Sequence, residues 1–353
     1  MKCKTIWLKA PLDEGIPGPE HIDMVTTELD CSDLGKDCIV VSIKCMSADP
    51  YLRGRIKSSN PLSGSSGSDG RRVMSGFVSG VVIDSKSKDW KKGDFFGAAL
   101  PFSTIQILSP EARGKTVMWK LNGMVTEETL SLGVGVLGMP GSTAYGGLID
   151  ILRPIKGQTL FVSAASGAVG SLVGQIGKNV YGLQTIGSCG GPDKAKFIKS
   201  KFGFDESIDY KKFQTLEALS KELKRCAPKG IDMYFENVGG IFFEAAMKAL
   251  RPYGRIAVCG CISGYNDKKP PMSQLYIGQM IYTFQRIEGF VCSPWLKQER
   301  GNFLKDMSKW LKEGKIKPEE TFFKGIESWP LAFRSLFTGK KRGKVVVLIE
   351  DDV

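Results

Sequence analysis

At 353 residues the chain is longer than one hydrophobic core usually organises, so two domains are expected. Its 42% hydrophobic and 24% charged residues exclude a disordered or collagen-like polymer. The formal charge of +12 invites anionic partners, but the basic residues are spread, with only short clusters such as Lys340-Lys341-Arg342. That dispersal suits a solvated face, or a field drawing in an anionic cofactor, better than a nucleic-acid surface.

Taken in order, residues 1–130 read as β-rich. Short apolar or alternating runs at 4–10, 38–45, 74–83 and 94–100 are separated by Gly, Pro, Asp and Ser. Between them, the Ser/Gly-rich stretch 58–70 is expected to form a mobile surface loop. From about residue 157 the rhythm changes to strand alternating with helix. Residues 159–165 form an apolar run ending in small side chains. Residues 168–181 have helical spacing, with Val169, Leu172, Val173 and Ile176 on one side. A second strand at 184–189 and a second helix at 194–202 follow. Further strands are expected at 232–238, 255–260 and 286–292, further helices at 242–250 and 303–314, and a last strand at 344–349. Strands alternating with helices of this length imply a parallel sheet covered on both faces.

The sharpest local signal is Ala165-Ser166-Gly167-Ala168-Val169-Gly170, which follows one predicted strand and opens a predicted helix. It is a G-x-G-x-x-G variant with Ala in place of the first Gly. Small residues let the backbone turn tightly and approach a pyrophosphate, and the helix N-terminus offers that anion unpaired N–H groups. A packing turn of the same composition is the plain alternative, which the strand–turn–helix context disfavours. The second strand then selects the cofactor. An NAD site usually carries Asp or Glu about 20 residues past the fingerprint, on the ribose 2′-hydroxyl. Here the segment is Ser188-Cys189-Gly190-Gly191-Pro192, without an acid, which favours NADP. Asp193 suits the start of the next helix. Lys194 either supplies charge to the 2′-phosphate or is an ordinary surface lysine.

Other chemistries lack their residues. His21 is the only histidine and reads as a surface side chain. No C-x-x-C pair is present, and Cys259 and Cys261 would point the same way in a strand. Neither a zinc site nor a Ser–His or Cys–His nucleophile can be assembled with suitable spacing, so no metal is expected. The nine cysteines, an odd and scattered set, are expected to be reduced thiols of a cytosolic protein. The N-terminal stretch lacks a signal-peptide pattern, and the Glu350-Asp351-Asp352-Val353 ending lacks a lipidation or peroxisomal signal. No run approaches the roughly 20 apolar residues of a membrane span.

Five strings, in order, carry a resemblance over almost the whole chain: Asp49-Pro50-Tyr51-Leu52-Arg53, Leu137-Gly138-Met139-Pro140-Gly141-Ser142-Thr143-Ala144-Tyr145, Ala164 to Gly170, Glu236-Asn237-Val238-Gly239-Gly240, and Cys259-Gly260-Cys261-Ile262-Ser263-Gly264-Tyr265-Asn266. The chain resembles the zinc-free medium-chain dehydrogenase/reductases, in the branch of prostaglandin reductases (leukotriene B4 12-hydroxydehydrogenases) and plant alkenal double-bond reductases. The resemblance implies an α/β fold. A doubly wound Rossmann parallel sheet at 136–295 would bind NADP, and a discontinuous, β-rich GroES-like catalytic domain would occupy 1–135 and 296–353. The cofactor would lie in the cleft between them.

It further implies that Ser166, Gly167, Ala168, Val169 and Gly170 cradle the pyrophosphate, and that Gly190, Lys194 and Tyr210 hold the adenosine 2′-phosphate end. Asn237, Cys259, Gly260, Ile262, Ser263 and Tyr265 would border the nicotinamide half. Phe290, Val291 and Cys292 would offer backbone groups to its carboxamide. Tyr51 and Tyr265 would line the substrate pocket. Two positions depart from the family pattern. Lys341-Arg342 precedes Gly343-Lys344 where the family often has Asn, and Cys292 stands where relatives carry Val.

The expected activity is NADPH-dependent reduction of the C=C bond of α,β-unsaturated aldehydes and ketones, by a homodimer typical of the family. Hydride would reach the β-carbon, and Tyr265 would donate a hydrogen bond to the enolate oxygen. A quinone oxidoreductase on the same fold is the nearest alternative. A basic nucleic-acid-binding protein with an inherited cofactor fold is the alternative of another class.

Overall fold

The computed structural model describes residues 1–58, 71–269, 272–339 and 341–350. All but the first residue of the 58–70 loop lies outside the described residues. The chain forms two compact units, Met1–Met139 with Glu320–Val353, and Pro140–Glu319.

In the first unit, short strands follow one another: β1 (Lys2–Leu8), β2 (Ile22–Glu28), β3 (Ile39–Ala48), β4 (Arg72–Val73), β5 (Ser75–Ser85), β6 (Phe95–Pro101), β7 (Ile105–Leu108) and β8 (Met118–Lys120). Helix α1 (Leu52–Ile56) follows Tyr51. The long β3 is buried along almost its whole length and pairs antiparallel with β5 and β7.

The second unit is built on an entirely parallel sheet of β9 (Thr159–Val162), β10 (Gln184–Cys189), β11 (Glu206–Asp209), β12 (Ile231–Glu236), β13 (Leu250–Val258) and β14 (Arg286–Gly289). Their spatial order is β11-β10-β9-β12-β13-β14. Every residue of β9 and β12 is buried, as expected of strands covered on both faces. Helices α2 (Ala168–Asn179), α3 (Pro192–Phe202), α4 (Leu216–Cys226), α5 (Ile241–Ala249) and α6 (Ile277–Thr283) lie between these strands in sequence. The α2 face predicted from spacing buries Leu172, Val173 and Ile176, while Val169 is half-buried.

Helix α7 (Phe303–Lys312) also belongs to this unit, so the chain returns to the first unit at Glu320 rather than at the expected 296. The reason is packing. Phe303 and Trp310 both lie 6.0 Å from the ring of Tyr145, whose hydroxyl donates to Asp306 at 2.7 Å. The chain then adds β15 (Glu320–Lys324), helix α8 (Trp329–Thr338) and β16 (Lys344–Leu348). β16 runs antiparallel to β3, extending the sheet to β15-β16-β3-β5-β6-β8.

Candidate cofactor site

The strand order reverses direction at β9. The chain moves outward to β10 and β11 on one side, then crosses to β12, β13 and β14 on the other. Ligands of open α/β sheets bind at such a switch point, outside the carboxyl ends of the strands. The loops leaving β9 and β12 meet here.

The loop after β9 is a strained turn. Ala164 adopts φ +51°, a left-handed conformation uncommon for a residue with a Cβ, and its carbonyl accepts the Gly167 N–H at 2.9 Å. A Cβ on Gly170 would lie 2.5 Å from that same carbonyl oxygen, so the position needs glycine. Gly167 caps α2 without any side-chain hydrogen bond to the first turn. The Ser166–Gly170 segment thus presents main-chain N–H groups at a helix start, the arrangement that receives a pyrophosphate.

The loop after β10 passes through Gly190 and Gly191 into α3, whose first turn contains Asp193. Gly191 has φ +99°, and its N–H donates at 2.7 Å to Asp209, which also accepts the Lys211 N–H. The Asp209 Oδ1 is therefore engaged by the backbone. Tyr210 stands on edge against Phe242 at 5.6 Å, and a Cβ on Gly190 would lie 2.9 Å from its hydroxyl. Burial raises the pKa of the Cys189 thiol to about 12, while the nearby charge of Lys194 draws it down. Gly190 and the Tyr210 hydroxyl thus meet at the end of β10, with the charge of Lys194 close enough to act on Cys189.

The remaining loops are laced together. Asn237 donates its side-chain N–H to the Ser163 carbonyl at 2.7 Å, and its Oδ1 accepts from the Cys259 thiol at 3.0 Å. The Cys259 and Gly260 N–H groups donate to the Glu236 carbonyl, that of Ile262 to Asn237, and that of Ser263 to Val238. β13 ends at Val258, so Cys259 and Cys261 do not share a strand face as expected. Instead Cys259 turns toward Asn237 while Cys261 is exposed. Burial raises the Cys259 pKa.

The Tyr265 hydroxyl accepts the Cys261 N–H at 3.4 Å, and burial raises its pKa to about 12. Among the described residues no acceptor takes its proton. Phe290 rests edge-on against Phe235 and Trp295, Val291 is exposed, and Cys292 caps the short helix that follows.

Tyr51 belongs to the other unit. It heads α1, with Phe77 edge-on at 6.2 Å and the Arg55 guanidinium 5.2 Å over its ring. Behind it, Lys344 is buried and donates to Asp49 at 2.6 Å, to the Ala48 carbonyl at 3.1 Å and to the Ser47 hydroxyl. His21 accepts the Gly18 N–H within a turn. Among the described residues no three His, Cys, Asp or Glu side chains are grouped to hold a metal ion.

Ser163, absent from the sequence reading, and Glu236, quoted there only within a motif, have a structural part in the site. Ser163 and Glu236 tie the β9 and β12 loops together through a 3.1 Å hydrogen bond, and Glu236 also accepts the Val238 and Gly239 N–H groups. The signal was an acid closing the apolar run Met233-Tyr234-Phe235-Glu236.

The fold and this loop cluster define a dinucleotide-dependent oxidoreductase. Residues 168–309 match the family described as zinc-binding dehydrogenase, and residues 4–116 match the N-terminal domain of oxidoreductase. The chain is 36% identical over 333 residues to prostaglandin reductase 1 of Sus scrofa, covering 94% of this chain and 95% of that one. It is 37% identical over 336 residues to the 2-alkenal reductase (NADP(+)-dependent) of Nicotiana tabacum, covering 94% of each. The crystal structure of CurA from Vibrio vulnificus in complex with NADPH superposes with a TM-score of 0.84 at 34% identity, over 99% of each chain. The chain belongs to the medium-chain dehydrogenase/reductases, in the zinc-free branch of prostaglandin and alkenal reductases.

Proposed function

We propose that this protein reduces the C=C bond of α,β-unsaturated aldehydes and ketones with NADPH. The observation that carries the reading is the corner after β10. Gly190 and Gly191 stand where an NAD enzyme places its acid, the local carboxylate Asp209 is engaged by main-chain N–H groups, and Lys194 and Tyr210 stand alongside. The names of the relatives point the same way: a 2-alkenal is an α,β-unsaturated aldehyde, and the 2-alkenal reductase is NADP-dependent.

When bound, NADPH supplies the hydride that the substrate's β-carbon receives. The chain's own part is orientation and charge stabilisation. Ser166–Gly170 would hold the pyrophosphate, and Gly190, Lys194 and Tyr210 the 2′-phosphate. The Asn237, Cys259–Ser263 and Phe290–Cys292 loops border the nicotinamide. The Tyr265 hydroxyl, protonated at neutral pH, would donate to the substrate oxygen as negative charge gathers there. Solvent, or that hydroxyl, then protonates the α-carbon.

The same reading includes a homodimer in a reducing cytoplasm. Among the described residues β14 is the last strand at its end of the sheet, and Ile277, Ile281, Tyr282 and Phe284, just before it in sequence, are exposed, with Tyr253 stacked on Phe284 at 4.9 Å. All nine cysteines are free thiols. A screen of NADPH oxidation against alkenals, cyclic enones, keto-prostanoids and quinones tests the activity. Turnover of quinones alone would replace the enone reading with the quinone one. Sedimentation of a monomer at micromolar concentration would remove the dimer.

A further inference from the structure

A buried charge at the switch point has no part in the steps above. Glu236 is 1% exposed at the carboxyl end of β12, and its Oε1 accepts from Val238 N at 2.5 Å, Gly239 N at 2.9 Å and Ser163 Oγ at 3.1 Å. Its Oε2 and the hydroxyl of the fully buried Tyr234 make no hydrogen bond among the described residues. Among the described residues no lysine or arginine forms an ion pair with Glu236. Burial holds its pKa above the usual carboxylate value, and the Val238 and Gly239 N–H groups and the Ser163 hydroxyl on Oε1 limit that rise. A glutamine could accept the same hydrogen bonds without burying a carboxylate, so what the carboxylate adds at this position is its charge.

The charge sits beneath the Asn237 and Cys259–Tyr265 loops, which border the nicotinamide in the reading above, and on that reading this inference rests. Dihydronicotinamide is neutral, whereas the oxidised ring carries a positive charge. We propose that Glu236 is an electrostatic positioning residue whose fixed negative charge favours the oxidised, cationic nicotinamide over the reduced one, and so assists hydride donation. Its influence runs through the loops and the field, without contact to the reacting atoms.

The test is a pair of binding titrations, NADPH by its own fluorescence and NADP+ by tryptophan quenching, on the unsubstituted protein and on Glu236→Gln. Glutamine keeps an oxygen for the Val238, Gly239 and Ser163 donors and removes only the charge. The expected result is a selective loss of NADP+ affinity, with the NADP+-to-NADPH affinity ratio falling about tenfold, the scale of one fixed charge acting through a protein interior. Ser163→Ala, which loosens the staple but keeps the charge, should leave that ratio unchanged.

A ratio shift below about threefold in folded Glu236→Gln overturns the proposal while leaving NADPH binding intact. Failure of the unsubstituted protein to bind either nucleotide overturns the cofactor reading instead. Should Glu236→Gln not fold, the unsubstituted protein decides. NADP+ bound tighter than, or within about threefold of, NADPH supports the charge effect, and weaker NADP+ binding than that overturns it.

Discussion

The two units solve the problem of presenting a functional group in opposite ways. In the parallel sheet every strand ends at the same edge, so the loops after β9, β10, β12 and β13 gather there. Their equipment is largely backbone: N–H groups at a helix start, a left-handed Ala164, and glycines held close to carbonyl oxygens. In the other sheet the β16-β3-β5-β6-β8 neighbours are antiparallel and end at opposite edges, and no such convergence arises. There the Asp49–Arg53 segment is fixed by side chains instead, through the buried Lys344–Asp49 pair that ties β16 to the end of β3. Close main-chain packing builds one surface, and one desolvated ion pair holds the other.

The contrast predicts where each unit is fragile. The largest loss should follow Lys344→Met, which leaves the Asp49 carboxylate buried without its cation. Urea denaturation should show about 3–5 kcal/mol of destabilisation, because a broken buried pair costs more than its absence. Tyr265→Phe should leave stability and NADPH affinity nearly unchanged, yet reduce kcat/KM on an enone roughly 10- to 1000-fold, as loss of an oxyanion donor does. Full turnover by that variant would assign the donor role elsewhere.

Gly170→Ala sharpens the backbone half of the comparison. The added methyl meets the Ala164 carbonyl oxygen at 2.5 Å, so the turn must open. Titration should show NADPH binding weakened at least about tenfold, or about 1.4 kcal/mol, with a smaller change in melting temperature. Lys194→Ala should narrow the preference for NADPH over NADH, expected to be at least about tenfold in the unsubstituted protein, without abolishing NADH use. Smallest of all, dialysis against a chelator should leave activity and melting temperature where they were, and loss of stoichiometric zinc together with activity would contradict the zinc-free assignment.

Much of the second unit was legible in the sequence, because parallel strands read as unbroken apolar runs and the turn after β9 has few substitutes for Gly167 and Gly170. The missing acid at Gly190-Gly191 was equally plain. What stayed hidden depends on where side chains turn. Lys344 follows the basic run Lys340-Lys341-Arg342 and has the look of a surface lysine, yet it is 3% exposed. Glu236 closes an apolar strand and folds back under its own loop. Four residues make β11 too short to show a period, although Asp209 at its end anchors Gly191. The late return to the first unit was missed because α7 has an ordinary amphipathic pattern, and only the Tyr145 ring shows which core receives it.

The central claim, reduction of the conjugated C=C bond by NADPH, is tested most directly by product analysis of a single 2-alkenal. NADPH deuterated at C4 of the dihydronicotinamide ring should yield the saturated aldehyde with deuterium on the β-carbon, one equivalent of NADPH being consumed per aldehyde formed. An allylic alcohol carrying the label on its carbinol carbon, or no consumption of NADPH, would contradict it.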